Sequence, residues 1–182
     1  RMRETTAGVV GLGKMGGNMA KHLLDKGFEV YGHDLQPEAR EAFAEYGGAV
    51  ADSGRDVARE SDVTITSLPN SEIVKSAYTG EEGLAHESVE TTFFEMSTIA
   101  PPTTEAIVKA VGDTPSEILD APITGGPENS RDGTLTGLVG GHESVFEAEH
   151  AQSVLHALCA ELHYAGSSGA GHAMKLLNNT MS

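Results

Sequence analysis

The segment that most constrains the fold of this chain is a glycine-rich turn between an apolar strand and a helix. The apolar run over residues 6–10 leads directly into Gly11, Gly13 and Gly16, and the apolar residues that follow recur at helical spacing. A second alternating run then ends at Asp34. Two strands joined by one helix in this way are expected to lie parallel, because the helical crossover returns the chain to the same end of the sheet.

The rest of the chain repeats this alternation of short apolar strands with helices of about a dozen residues. The pattern predicts an α/β protein of the Rossmann type, with a doubly wound, mostly parallel sheet and helices on both faces. A chain of 182 residues is long enough for one such domain with a substantial core. Further strands are predicted over 28–31, 62–68, 91–95, 118–119, 135–139 and 162–164, and helices over 37–46, 71–78, 101–111 and 144–158 and from 171 onward.

The glycine turn also indicates what the domain binds. Gly11 permits a sharp turn, Gly13 lets a pyrophosphate approach the backbone, and Gly16 lets the helix pack closely on the strand. The free N–H groups at the start of the helix would then face the phosphates. A lone glycine triplet often serves only a tight turn, but its place between a strand and a helix favours a dinucleotide site.

Asp34, at the end of the second strand, predicts which dinucleotide is preferred. Its carboxylate can accept hydrogen bonds from the ribose hydroxyls of NAD, and it would repel the 2′-phosphate of NADP. The next two residues are Leu35 and Gln36, so no arginine directly follows to pair with that phosphate. We therefore expect NAD as the cofactor, with NADP less favoured.

Two further segments carry groups suited to a small oxyacid. Lys175 and Asn179 follow a second glycine-rich turn, lie four residues apart and share one face of a predicted helix. A lysine placed there can bind an oxyacid or transfer a proton. Thr124, Gly125 and Gly126 offer a hydroxyl and unencumbered backbone N–H groups, which suit a carboxylate. The alternatives are a solvated helix lysine and an ordinary glycine turn.

Five segments in order resemble the β-hydroxyacid dehydrogenase family, which includes 3-hydroxyisobutyrate dehydrogenase and tartronate semialdehyde reductase and is similar to 6-phosphogluconate dehydrogenase. The segments are 11–16, 67–71, 97–101, 120–126 and 166–179, and the resemblance covers nearly all of the chain. It implies that Leu68 and Pro69 line the cofactor, that Thr98 lies near the nicotinamide and that Lys175 is catalytic. It also implies a cofactor loop made of Gly11, Leu12, Gly13, Lys14, Met15 and Gly16.

The chain departs from the family pattern in and near the substrate loop. Thr124 stands where serine is usual, so the hydroxyl is kept while a methyl group is added. Glu95 and Met96 stand where an Asp-Ser pair is common. Residues 127–129 match no pattern that points to one substrate.

The resemblance also implies a domain organisation. Residues 1–165 are expected to form the dinucleotide-binding domain, and residues 166–182 the start of a long interdomain helix that carries the catalytic lysine. The family continues into an all-α C-terminal domain of about a hundred residues, which helps to form the cleft and the dimer and which this sequence does not include. We therefore expect a longer native protein that forms a homo-oligomer.

These observations predict an NAD(P)-dependent oxidoreductase that transfers a hydride between a nicotinamide cofactor and a small 3-hydroxy acid or semialdehyde. Lys175 would take the hydroxyl proton in oxidation and return it in reduction. Thr124, Gly125 and Gly126 would hold the substrate carboxylate, and Asn179 would hold the substrate and help to fix Lys175. Two alternatives stay open: a non-catalytic NAD-binding module, and a family reductase that acts on succinic semialdehyde or glyoxylate.

The composition argues against several other classes of function. The chain has 27 acidic residues against 12 Lys plus Arg, and its net charge of −15 would repel nucleic acid. No apolar run approaches the roughly 20 residues that span a bilayer, so no membrane partner is expected. The single cysteine, Cys159, suits the cytoplasm. Its spacing from His156 and His163 could suggest a metal site, but no further ligand pattern appears and no metal is expected. The acidity itself has two open interpretations, a solvated surface and adaptation to high salt.

Overall fold

The structure is a computed structural model that describes residues 4–181, without the side chain of Met181. The strands are β1 (Thr6–Val10), β2 (Glu29–His33), β3 (Ala49–Val50), β4 (Val63–Thr66), β5 (Thr92–Glu95), β6 (Glu117–Asp120), β7 (Ile123–Thr124), β8 (Leu135–Gly140) and β9 (Cys159–Gly166). The helices are α1 (Lys14–Asp25), α2 (Pro37–Glu45), α3 (Gly54–Glu60), α4 (Ser71–Thr79), α5 (Pro101–Gly112), α6 (Pro127–Asp132), α7 (Glu143–Phe146), α8 (Glu149–Leu158) and α9 (Ala170–Met181).

The strands form one sheet in the order β3-β2-β1-β4-β5-β6-β8-β7, with β9 also paired to β8. The six strands from β1 to β6 pair only in parallel with one another. β8 runs antiparallel to β6 and β7 and parallel to β9. The chain winds outward from β1 in both directions, so the loops that follow β1 and β4 lie side by side where the winding reverses. The prediction of a doubly wound, mostly parallel sheet of the Rossmann type is confirmed.

Helices cover both faces of the sheet, because successive strand side chains point to opposite sides. In β5, Phe94 belongs to the same buried core as Met19 of α1 and Leu155 of α8. Its neighbour Phe93 belongs to a second core with Tyr78 of α4, whose ring lies edge-on at 5.2 Å between centroids. Full burial of one such side chain contributes about 2–3 kcal/mol, so the two cores hold the helices firmly against the strands that carry the loops.

The predicted helix over 144–158 is wrong in one respect, because the structure has two helices there, α7 and α8. Ala148 between them has extended backbone angles (φ −58°, ψ 140°), which interrupts the helical hydrogen-bond ladder. The side chain of Gln152 compensates by donating from Nε2 to the carbonyl oxygen of Phe146 at 2.6 Å. The short elements β3, α3, β7 and α6 were not predicted from the sequence.

Candidate active site

The carboxyl ends of the parallel strands bring the predicted segments to one edge of the sheet. The glycine loop follows β1, Leu68 and Pro69 follow β4, Thr98 follows β5, and the loop around Thr124 follows β6. Open α/β sheets bind their ligands at this edge, where the strand order reverses.

The three glycines of the loop over 11–16 serve different purposes. Gly11 has a φ of +97°, and a Cβ there would lie 2.2 Å from the carbonyl oxygen of Ser67. A Cβ on Gly16 would lie 1.9 Å from the carbonyl oxygen of Gly11, so only glycine lets α1 close on the loop. Gly13 is exposed, and a Cβ there would meet nothing within 4 Å. The backbone at Gly13, beside the exposed Lys14, is therefore open to a ligand, as binding of a pyrophosphate at the start of α1 requires.

Asp34 lies next to this loop at the end of β2. Its Oδ2 accepts a hydrogen bond from the N–H of Leu12 at 2.7 Å, and its Oδ1 accepts one from the N–H of Gln36 at 2.8 Å. A carboxylate offers about four lone-pair sites, so it can still accept from ribose hydroxyls. Arg40, which the sequence analysis did not consider, donates from Nη1 to the carbonyl oxygens of Asp34 at 2.7 Å and Leu35 at 3.2 Å. A guanidinium thus lies at this turn although none directly follows Asp34 in the sequence.

The loops after β4 and β5 are tied to each other. The N–H of Leu68 donates to Oγ of Ser97 at 2.8 Å. Pro69 and Thr98 are exposed on the two loops. Both are therefore accessible to a molecule bound along this edge, as their predicted contacts with a cofactor require.

Lys175 and Thr124 are in contact although 51 residues separate them. Nζ of Lys175 donates a hydrogen bond to Oγ1 of Thr124 at 3.0 Å. Lys175 is half-buried in α9, Thr124 is exposed at the end of β7, and Asn179 is exposed one turn further along α9. An amine that contacts a hydroxyl can bind the oxygen of an alcohol or carboxylate and can exchange a proton with it.

The predicted carboxylate cradle is partly occupied by the protein itself. Gly126 is the N-cap of α6, and its N–H donates to Oδ1 of Asn129 at 3.1 Å. The expectation of unencumbered N–H groups therefore does not hold at Gly126, because capping of a short helix uses that group. Gly125 has a φ of +133°, and this conformation explains why glycine stands in the loop.

Two buried side chains behind the Lys175–Thr124 pair were not singled out from the sequence. Asp120, 1% exposed, accepts hydrogen bonds from the N–H of Gly169 at 2.7 Å and the N–H of His172 at 3.0 Å. The His172 ring contacts the carbonyl oxygen of Ser97 through Nε2 at 3.0 Å and Oγ1 of Thr104 through Nδ1 at 2.9 Å. A carbonyl oxygen can only accept, so we assign the ring proton to Nε2. Burial lowers the pKa of His172, and the charge of Asp120 opposes this effect.

Glu95 is a further buried carboxyl group at this edge. Its Oε1 accepts from the N–H of Ser97 at 2.8 Å, and its Oε2 accepts from the hydroxyl of Thr66, which also contacts the hydroxyl of Tyr78 at 2.8 Å. Burial raises the pKa of Glu95 to about 7, and the hydrogen bonds from Ser97 and Thr66 work in the opposite direction. The signal in the sequence was an acidic residue directly after the apolar pair Phe93 and Phe94 at the end of a strand.

Within residues 4–181, no group of three or more His, Cys, Asp or Glu side chains is arranged to hold a metal ion. Cys159 belongs to the apolar core, and burial raises the pKa of its thiol to about 12. None of the described helices is long and apolar enough to cross a membrane.

Known proteins share this fold and these segments. Residues 6–166 match the family model for the NAD binding domain of 6-phosphogluconate dehydrogenase. The chain is 36% identical to 2-(hydroxymethyl)glutarate dehydrogenase of Eubacterium barkeri, over 96% of this chain and 58% of that protein. It is 37% identical to 3-hydroxyisobutyrate dehydrogenase of Pseudomonas aeruginosa, over 97% of this chain and 59% of that protein.

Among solved structures, 3-hydroxyisobutyrate dehydrogenase of Mycobacterium tuberculosis with L-serine superposes with a TM-score of 0.90 at 34% identity. That match covers 98% of this chain and 60% of the other. The chain therefore spans little more than half the length of the relatives that it matches.

Proposed function

Because this chain belongs to the β-hydroxyacid dehydrogenase family, as its N-terminal NAD-binding domain, we propose that the protein transfers a hydride between a nicotinamide dinucleotide and a small 3-hydroxy acid or its semialdehyde. The observation that carries this proposal is the 3.0 Å contact of Nζ of Lys175 with Oγ1 of Thr124. It sets a group that can move a proton beside a hydroxyl, at the sheet edge where the glycine loop also lies. The nicotinamide would supply the hydride chemistry, and the protein would bind, orient and polarise the substrate.

The cofactor would lie along the loop over 11–16 and the start of α1. We propose NAD as the preferred form, with the ribose hydroxyls donating to Asp34, whose carboxylate would repel the extra phosphate of NADP. Leu68 and Pro69 would line the cofactor, and Thr98 would lie near the nicotinamide. The open backbone at Gly13 supports this placement, since a close approach of phosphate needs it.

Lys175 would act as the general acid and base. In oxidation the hydroxyl proton of the substrate would pass to a neutral Nζ as the hydride leaves the carbon, and in reduction the protonated Nζ would return it to the oxygen. Thr124 and Gly125 would hold the substrate carboxylate. Gly126 would join them once its own N–H no longer donates to Asn129. Asn179 would hold the substrate from the next turn of α9.

Substitution of Lys175→Ala in the complete native protein tests this function. We expect kcat to fall by roughly 10²–10⁴-fold, the usual contribution of a general acid–base group, with NAD affinity unchanged. The measurement is NADH absorbance with 3-hydroxyisobutyrate, 2-(hydroxymethyl)glutarate, L-serine, succinic semialdehyde and glyoxylate. Lys109→Ala, a change at an exposed lysine on α5, is the matched control and should leave kcat unaltered.

Two outcomes would contradict the proposal. A Lys175→Ala protein within about threefold of the wild-type kcat would remove the assigned role, because so small a change is under roughly 1 kcal/mol. NAD binding without turnover of any substrate by the wild-type protein would favour a non-catalytic module.

We also propose that the protein acts in the cytoplasm as a homo-oligomer without a nucleic acid partner. The single cysteine supports a reducing compartment, and the net charge of −15 supports the absence of nucleic acid. Membership of the family supports the homo-oligomer. Light scattering on the complete native protein measures the oligomeric state directly.

A further inference from the structure

We infer that Asp120 is a positioning residue, whose buried carboxylate joins the first turn of α9 to the end of β6 and thereby holds Lys175 against Thr124. The inference rests on the proposed function of Lys175. The carboxylate of Asp120 makes no hydrogen bond to Lys175 or Thr124 and acts through the elements that carry them.

Both oxygens of Asp120 are engaged with the start of α9. Oδ1 accepts from the N–H of Gly169 at 2.7 Å and Oδ2 from the N–H of His172 at 3.0 Å. These N–H groups belong to the helix terminus, where they have no partner within the helix and where a negative charge is favoured by the helix dipole. Because Asp120 is only 1% exposed, water cannot readily replace either bond.

Two glycines give the carboxylate its space. A Cβ on Gly171 would lie 2.5 Å from the carbonyl oxygen of Leu138 and 2.7 Å from that of Asp120. A Cβ on Gly140 would lie 2.7 Å from Oδ2 of Asp120 and 2.8 Å from the backbone nitrogen of Gly171. The helix α9 and the strand β8 therefore close tightly around Asp120, and this packing leaves little freedom for α9 to rotate or slide.

This joint fixes both members of the proposed catalytic pair. Thr124 follows Asp120 by four residues along the β6–β7 segment, and Lys175 follows His172 by three residues, about one helical turn. The ring of His172 adds a second tie, through Nε2 to the carbonyl oxygen of Ser97 at 3.0 Å, in the loop that carries Thr98. The carboxylate of Asp120 thus fixes the position of α9 relative to the substrate loop. The ring of His172 ties α9 to the loop that carries Thr98.

Asp120→Asn in the complete native protein tests the inference. Asparagine keeps the size but presents one N–H₂ group, so either Gly169 or His172 would meet a donor in place of an acceptor. We expect kcat to fall by about tenfold or more, since a displacement of about 1 Å at a catalytic group costs up to about 10²-fold. The Kd for NAD should stay within about twofold, because the glycine loop is untouched, and KM should change less than kcat.

A double-variant comparison separates positioning from general destabilisation. If Asp120 acts through Lys175, then adding Asp120→Asn to Lys175→Ala should lower kcat by less than about twofold further. Ser116→Ala is the matched control at the opposite end of β6, where the buried Ser116 accepts from the N–H of Thr91 at 3.1 Å. It should lower the melting temperature while leaving kcat within about twofold of the wild type.

The inference is overturned if folded Asp120→Asn keeps kcat within about twofold, or if its full loss persists in the Lys175→Ala protein. Should Asp120→Asn fail to fold, Thr104→Val removes the partner of Nδ1 of His172 without changing the volume of the side chain. We then expect a fall of about threefold to tenfold in kcat that is absent with Lys175→Ala, and a fall of the same size in both backgrounds would overturn the inference. Unchanged turnover in Lys175→Ala itself would overturn the proposed function along with it, whereas failure of the Asp120 variants alone would leave that function standing.

Discussion

The carboxylate of Asp34 accepts a hydrogen bond from the glycine loop, and it is also the predicted partner of the cofactor ribose. We predict that NADH binds more tightly than NADPH, because the carboxylate repels the 2′-phosphate. Asp34→Asn with Leu35→Arg should reverse the order, with the ratio of the two Kd values changing by about tenfold or more, which is about 1.4 kcal/mol. Fluorescence titration of the 182-residue chain with each reduced cofactor measures this.

Leu35→Arg alone is the control for that experiment, since it adds a cation while keeping the carboxylate. It should change the ratio less than the double variant does. Equal or tighter binding of NADPH by the wild-type chain would contradict the preference, and would point to Arg40, whose guanidinium already lies at the turn.

Glu95 should make the stability of the domain depend on pH. Its pKa is about 7 in the folded chain against an ordinary value of 4.5, so the folded state holds the proton more tightly than the unfolded state. The stability from this group is complete below about pH 4.5 and is lost as the pH rises through about 7. The loss amounts to roughly 3 kcal/mol.

The variant Glu95→Gln resembles the protonated acid, because its amide can donate to Thr66 and its oxygen can accept from Ser97. We predict the same free energy of unfolding as the wild type near pH 4, and a value higher by up to about 3 kcal/mol at pH 8. Urea unfolding at both pH values tests this, with Glu105→Gln, at an exposed position on α5, as the control. Parallel pH dependences in wild type and Glu95→Gln would contradict the prediction.

The site residues that were predicted from the sequence each belong to a local pattern, whereas the role of Asp120 depends only on distant partners. Lys175 and Asn179 share a helix face by spacing alone, and the glycine loop has a strand and a helix on either side. Asp120 meets its partners 49 and 52 residues further along the chain, at Gly169 and His172. No short-range sequence pattern indicates such a contact. The hydrogen bonds between the end of β6 and the start of α9 could therefore be identified only in the folded chain.

At the level of elements, the strands and helices with a clear apolar period were predicted, and the exceptions have physical causes. The strands β3 and β7 have two residues each, too few for any period. The helix α6 is polar and is held by α1, since Oγ of Ser130 donates to the carbonyl oxygen of Met15 at 2.7 Å and Nδ2 of Asn18 donates to that of Pro127 at 3.1 Å. Tertiary contacts therefore decide its conformation.

The same contacts join two predicted parts of the site. The helix α1 begins at the glycine loop, and α6 begins directly after Gly126. His22 of α1 also contacts the carbonyl oxygen of Arg131 at the other end of α6, at 3.0 Å. The proposed cofactor loop and the proposed substrate loop thus continue into two helices that pack against each other, so a shift of one loop is resisted by the other.

For the whole molecule, the net charge of −15 destabilises the folded state, because folding brings like charges together. The ion pairs of the described residues, such as Arg131 with Asp25 at 2.7 Å and Arg59 with Asp56 at 3.2 Å, cannot offset an excess of this size. On α2, Glu41 and Glu45 are exposed and four residues apart, a like-charge spacing that destabilises a helix.

If the acidity is an adaptation to high salt, the melting temperature should rise steeply with KCl. Screening shortens the reach of charges from about 10 Å at 0.1 M salt to about 3 Å at 1 M. A relief of about 3 kcal/mol would raise the melting temperature of a chain this long by about 10 °C. The variant Glu41→Gln with Glu45→Gln should melt higher than the wild type in low salt and gain less from KCl, because it has less repulsion to screen. Calorimetry from 0.05 M to about 2 M KCl checks both, and a flat dependence in the wild type would leave a solvated surface as the explanation for the charge.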